Sequence, residues 1–139
     1  AGNKLPLEGV CFVSVNNADK NKIIKIVRDL LEMNFQVIAT KGTATLLNQN
    51  GIKSTTIYKV GEGRPNIVDE IKNKQISIII NTPLGAQSRY DEHKIGNAAI
   101  KYKIPVITTI SGAQAAVRAI HILKNNNLNY VSLQEIFNR

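Results

Sequence analysis

Short apolar runs alternate along this chain with stretches in which apolar positions recur at helical spacing. The runs at 10–15, 35–39, 54–58, 76–80 and 106–108 read as strands. The run at 76–80, Ile76-Ser77-Ile78-Ile79-Ile80, is almost continuously apolar, as strands buried on both faces are. Between them, residues 19–33 place Ile23, Ile24, Val27, Leu30 and Leu31 on one stripe, with Lys22, Lys25, Asp29 and Glu32 off it. Asp19 is positioned to cap that helix. A tight turn at 40–43 leads to a short helix at 45–50, stopped by Asn50-Gly51. Residues 66–73 form a helix with Ile67 and Ile71 inward and Pro65 in its first turn. Residues 90–102 form another, with Ile95, Ala98, Ala99 and Tyr102 inward. A helix at 113–123 is broken by Lys124-Asn125-Asn126-Asn127, and residues 132–137 add a last helical turn.

Strand–helix alternation at this spacing predicts an α/β fold. It has three layers, α/β/α, around a mostly parallel sheet of about five strands. Residues 1–8 read as a tail and 9–139 as one domain. In such sheets ligands bind beyond the carboxyl ends of the strands. That rule collects five loops at one rim: 16–20, 40–43, 59–64, 81–85 and 108–112.

The most informative of these is Ala39-Thr40-Lys41-Gly42-Thr43-Ala44. A strand, a glycine-containing turn with two hydroxyls and a helix start suit an anion, because the first helix N–H groups lack partners and the dipole there is positive. Lys20, Thr40, Gly42, Thr43 and Lys59 could together hold one phosphate. The same residues also fit a purely structural account, with solvated lysines and capping threonines. Asn81 and Thr82 end the most buried strand, where they serve either a polar ligand or a turn. Asp91 accepts from a ribose hydroxyl or opens a helix. Thr108 and Thr109 end the fifth strand, facing a small polar ligand, a partner surface or nothing but their own backbone. His93 and His121 are isolated, without metal-ligand spacing.

Composition narrows the partners. The formal charge is +8 and the sequence pI about 9.8. Basic residues are spread along helix faces, and aromatics amount to 5% with no Trp, which leaves few platforms for stacking bases. An anionic small ligand, with generic solubility, accounts for the excess charge as well, and no nucleic-acid partner is expected. No apolar run approaches the roughly 20 residues of a membrane span, and the first residues read as neither a signal nor a transit peptide. Position 1 is Ala rather than Met, which reads as a fragment of something longer. The single Cys11 lies in a strand and predicts packing; it fits a reducing, cytoplasmic location.

The order of the loops carries a resemblance. Ala39-Thr40-Lys41-Gly42-Thr43-Ala44 is followed by Lys59-Val60-Gly61-Glu62-Gly63-Arg64-Pro65, then Ile79-Ile80-Asn81-Thr82, then Thr108-Thr109 with Gly112-Ala113. From Gly9 to Phe137 the chain resembles the carboxy-terminal domain of the large subunit of carbamoyl-phosphate synthase, which has the methylglyoxal-synthase-like fold. The resemblance implies a regulatory domain that binds nucleotide effectors, UMP or IMP, at one site and catalyses nothing itself. Residue by residue it implies phosphate contacts from Lys20, Thr40, Thr43 and Lys59, nucleoside contacts from Asn81, Thr82, Asp91 and Ile95, and an ornithine border at Thr108. It implies no cofactor in this domain, whereas the parent ligase uses glutamine and ATP with Mg and K ions, in pyrimidine and arginine biosynthesis. The implied partners are the rest of the large subunit and the small glutaminase subunit, with no nucleic acid and no membrane. Two positions depart from the pattern. Pro83 stands where many relatives carry a threonine, and Asn16-Asn17-Ala18 lacks the charges common in that loop.

Two enzymes of the same fold are the alternatives. Methylglyoxal synthase, acting on dihydroxyacetone phosphate, places an aspartate after two glycines; here Arg64 stands at about that place and Glu62 is displaced from it. A cyclohydrolase of purine synthesis needs a Thr-Leu-His stretch, which the chain lacks.

Overall fold

The computed structural model describes residues 5–83 and 89–137. Leu84 and Gly85, expected in the rim loop after the fourth strand, lie outside the described residues, as do residues 1–4 of the expected tail and the last two of the expected domain.

Five strands form one sheet in the order β3-β2-β1-β4-β5, every pair parallel. They are β1 (Gly9–Ser14), β2 (Phe35–Thr40), β3 (Thr55–Ile57), β4 (Ile78–Asn81) and β5 (Val106–Ile107). The helices are α1 (Lys20–Glu32), α2 (Lys41–Gln49), α3 (Ile67–Lys72), α4 (Arg89–Lys101) and α5 (Ile110–Phe137). This is the α/β sandwich that the alternation of runs predicts.

Period-two alternation in the strands sorts their side chains between two cores. Cys11, Val13, Val37, Ile78 and Ile80 face a layer made by α1, α2 and α5, where they meet Ile23, Val27, Leu47 and Ile120. Phe12 and Ile79 face the opposite layer, α3 and α4, with Ile67, Ile71, Ile95 and Ala99. Leu5 and Leu7, from the expected tail, rest against the first of these cores. Burial pushes the Cys11 thiol up to about 12, which keeps it a neutral packing group.

The structure departs from the sequence reading at five places. There is no turn at 40–43: α2 begins at Lys41, directly after β2, so Gly42 and Thr43 lie in its first turn. The strong β-formers around Thr40 hide that onset, because Gly and Thr both score poorly as helix residues. Asp19 makes no side-chain cap. Asn16 does, accepting from the Asp19 N–H at 2.9 Å and opening a 3-10 turn (Asn17–Asp19) ahead of α1. Pro65 precedes the N-cap of α3 rather than sitting in its first turn; the cap is Asn66, in a reciprocal box with Asp69. Helix α5 runs unbroken through Lys124-Asn125-Asn126-Asn127. Asparagine costs a helix only some tenths of a kcal/mol, far less than proline. Lys124 also ties this stretch down: its ammonium donates to the Met33 carbonyl and lies 5.9 Å from the centre of the Phe35 ring. Ile26, outside the expected stripe of α1, is buried, whereas Ile24 and Leu31 are only partly so.

Candidate functional site

The strand order reverses between β1 and β4, since β2 and β3 are laid down on one side of β1 and β4 and β5 on the other. Parallel sheets open a crevice at that point, beyond the carboxyl ends. Ser14 and Asn81 are register partners there, the last residues of the two strands. Both side chains line a cavity of about 340 Å³, together with Phe12, Thr40, Lys59, Val60, Ile67, Asp91, Glu92 and Ile95. That size falls within the range of about 300–1,000 Å³ common for small-ligand sites.

Alternation explains the membership. Phe12 and Ser14 point to the α3–α4 side of the sheet, and Thr40 and Asn81 leave β2 and β4 on the same side. The Thr40 hydroxyl donates to the Ser14 hydroxyl at 3.2 Å, so two buried polar groups satisfy each other at the floor. Ile67 and Ile95, both buried, supply apolar walls from α3 and α4.

Charge is graded along the rim. Lys59 follows β3, Asp91 and Glu92 belong to the helix after β4, and three strand intervals separate β3 from β4. At about 4.8 Å per interval this is roughly 14 Å. A cationic end and a carboxylate end thus face one ligand-sized space.

Of the phosphate residues singled out by sequence, Thr40 and Lys59 line the cavity. Lys20 and Gly42 meet at the first turn of α2: a Cβ built on Gly42 would lie 3.3 Å from the Lys20 Nζ. Thr40 is the N-cap position of α2 and makes no side-chain cap bond, so it joins this helix start to the cavity. Thr43 is buried beneath them, its hydroxyl accepting from the Val15 N–H at 3.4 Å. Of the nucleoside residues, Asn81, Asp91 and Ile95 line the cavity. Thr82 does not; it is 1% exposed and its hydroxyl accepts from the Asn16 N–H at 2.9 Å, pinning the end of β1 to the end of β4. Pro83 joins this brace through its carbonyl, which accepts from Asn16 Nδ2 at 3.1 Å. Thr108 is exposed just beyond the edge strand β5 and away from the cavity lining; beside it Thr109 caps α5, accepting from the Gly112 N–H at 3.0 Å. His93 and His121 are exposed, and among the described residues no group of three or more His, Cys, Asp or Glu is placed to hold a metal.

As site residues, sequence reasoning missed Phe12, Ser14, Val60, Ile67 and Glu92. Ser14 was findable, because it is the last residue of β1 and shares its face with Phe12. Arg64 and Glu62 do not line the cavity. Arg64 is ion-paired to Asp69 at 2.7 Å, and Glu62 accepts from the Lys59 N–H at 3.0 Å.

The close approach of Lys20 to Gly42 gives a test with effects of opposite sign. In Gly42→Ala the new methyl displaces only the end of a flexible side chain, while removing a helix glycine favours the fold by at most about 1 kcal/mol. The expected result is a thermal midpoint equal to or above that of the parent, with weakened anion affinity. Calorimetric melting and anion titration check the two halves.

A family model described as "MGS-like domain" matches residues 22–108. The chain belongs to the MGS-like domain family. The match runs from within α1 to just past β5; it takes in the cavity residues from Thr40 to Ile95 and leaves out β1, which supplies Phe12 and Ser14. Nearly the whole MGS-like chain is also similar to larger proteins. It is 43% identical over 97% of its length to the carbamoyl phosphate synthase large chain of Nostoc sp., and 46% identical over 97% to that of Archaeoglobus fulgidus. It is 45% identical over 98% to the carbamoyl phosphate synthase large chain, C-terminal section, of Methanopyrus kandleri. It spans 12%, 13% and 25% of those three proteins. In fold it is similar to the crystal structure of methylglyoxal synthase from Elizabethkingia anophelis, with a TM-score of 0.62 at 14% identity over 81% of this chain and 79% of that one. No helix among the described residues is long and apolar enough to cross a membrane.

Asp69 offers a pH prediction. The Arg64 guanidinium, and after it the Asn66 N–H, hold its carboxyl down, from 3.8 to about 2. A carboxyl depressed in the folded state stabilises it fully above the unfolded value, and that contribution is lost as pH falls through the folded value. The α3 N-terminus is therefore expected to keep its bonds at pH 4 and to loosen towards pH 2. A carboxyl titration by NMR, with the Asp69 amide followed in parallel, checks this.

Proposed function

We propose that this MGS-like chain is the effector-binding, regulatory domain of a carbamoyl phosphate synthase large chain, and that its ligand is a nucleoside monophosphate of the UMP or IMP type. The carrying observation is the graded cavity: Lys59 and Thr40 at the end near α2, Asp91 and Glu92 at the other, with polar Ser14 and Asn81 between. A phosphate dianion suits the cationic end, where Lys20 and the start of α2 add attraction. A ribose diol donates well to carboxylates such as Asp91. The similarity to carbamoyl phosphate synthase large chains over 97–98% of this sequence supports the parent enzyme.

In this reading the domain itself catalyses nothing and takes no cofactor. The rest of the large chain would carry the ATP-, Mg- and K-dependent ligase chemistry, fed by a small glutaminase subunit in the cytoplasm, for pyrimidine and arginine synthesis. Thr108, on the sheet edge away from the cavity, would face ornithine and the neighbouring domain. Regulation follows if nucleotide binding favours one of two placements of the domain, a coupling of typically about 1–3 kcal/mol.

A second reading has one observation in its favour. Asp91 and Glu92 put carboxylates in the cavity, as proton transfer on dihydroxyacetone phosphate by a methylglyoxal synthase would need. Titration with UMP, IMP and dihydroxyacetone phosphate by calorimetry, with an assay for methylglyoxal, separates the two. Saturable nucleotide binding without methylglyoxal is the expected result; methylglyoxal formation from the triose phosphate overturns the regulatory reading.

A further inference from the structure

We infer that Asp69 is a positioning residue for Lys59: it never lines the cavity, yet it fixes the loop that brings the cation there. This rests on the anion-site reading above.

The loop leaves β3 at Tyr58 and returns to α3 at Asn66. Lys59 and Val60, at its start, line the cavity. The loop closes on itself by backbone pairing, with a Tyr58–Asn66 bridge and the Ile67 N–H donating to the Tyr58 carbonyl at 3.2 Å. Within it, the Glu62 N–H donates to the Lys59 carbonyl at 3.1 Å and the Lys59 N–H to Glu62 Oε1 at 3.0 Å. Gly63 packs flat on the Tyr58 ring; a Cβ there would come within 3.1 Å of three ring atoms.

Asp69 holds the far side of this ring of contacts. Arg64 donates to it twice, from Nη2 at 2.7 Å and from Nε at 3.3 Å, a two-pronged pairing that fixes orientation as well as distance. The Asn66 N–H donates to the same carboxylate at 2.9 Å, and Asp69 returns the bond through its own N–H to Asn66 Oδ1 at 3.1 Å. One carboxylate therefore joins the middle of the loop, its end and the first turn of α3. That turn also supplies Ile67 to the cavity wall. Loops of this kind otherwise carry high conformational freedom, and binding would have to restrict it. Arg64 thus acts as a strut.

Two variants and a double-mutant cycle test this on the full chain, with UMP as the probe and inorganic phosphate as a second. Asp69→Asn keeps a capping oxygen but loses the ion pair, and Arg64→Gln changes only an exposed partner. In each, amide exchange at Lys59 and Glu62 is expected to quicken about 10-fold while Phe12 and Val13 in β1 stay unchanged. UMP affinity is expected to fall about 10-fold in the parent background and less than about twofold when Lys59 is already Met, since coupled residues are non-additive. A generally weakened fold would raise exchange in β1 as well and add to Lys59→Met. Unchanged exchange at Lys59 and Glu62 in both variants, or additive affinity losses, overturns the inference. If neither UMP nor phosphate binds the parent chain while residues 59 and 62 still open in Asp69→Asn, the anion-site reading fails and the placement of Lys59 by Asp69 stands.

Discussion

Replacing Lys59 with alanine is expected to weaken binding of a nucleoside monophosphate roughly 10- to 100-fold, because a charge-assisted hydrogen bond contributes about 1.5–3 kcal/mol. The loss is expected to shrink as salt is raised, since part of it is charge attraction at a partly open site. Stability is not expected to follow: Lys59 is only half-buried and packs in neither core, so the change in folding free energy stays within about 0.5 kcal/mol. Isothermal titration at two ionic strengths and a melting curve check this. Equal affinity in the two chains would mean that the ammonium does not meet the ligand.

The second large effect is on stability. Phe12→Ala is expected to destabilise the fold by about 3–5 kcal/mol, as deletions of fully buried phenyl groups do. Phe12 is 0% exposed, sits in the central strand β1 and packs against the α3–α4 layer among Ile67, Ile79 and Ile95. The thermal midpoint should fall by roughly 10–20 °C for a domain of this size. Urea unfolding should move its midpoint without a change of slope, provided unfolding stays two-state. A loss under about 1 kcal/mol would contradict the packing of that layer. Because Phe12 also floors the cavity, the same variant should weaken nucleotide binding even at temperatures where it remains folded.

The two effects differ in kind because the site and the α3–α4 core share strands and a sheet face but take different positions along them. Buried side chains up to Phe12 and Ile79 hold the sheet, and the next polar residues, Ser14 and Asn81, end it at the cavity. That division also locates what was readable beforehand. The apolar run at 76–80 announced a central strand, and the helical stripes announced which faces go inward. Ile67, Ile71, Ile95, Ala98 and Ala99 all lie where their spacing put them. The stop at Asn50-Gly51 holds too, with Gly51 at φ +73°. These are local signals, set by period and by backbone freedom.

Other features depended on neighbours distant in sequence. The length of α5 is one: Lys124 reaches back to Met33 and Phe35, which no window around residues 124–127 contains. The cap at Asn16 is another, because that residue is fixed by Thr82 and Pro83, just after β4. The early start of α2 follows from β2 ending at Thr40, whose hydroxyl turns to Ser14 on the neighbouring strand.

The sequence by itself determined the layered α/β arrangement, the rim at which polar loops gather and most of the residues that meet there, since strand period and the parallel connection rule act locally. Only the tertiary structure decided that Ser14 and Glu92 join Thr40, Lys59 and Asn81 around one space, that Thr43 and Thr82 brace its walls, and that Arg64 turns away to Asp69. The physical reason is that a side chain's direction at the end of a strand depends on which distant backbone N–H or carboxylate it can satisfy, and that partner is chosen by sheet order and register.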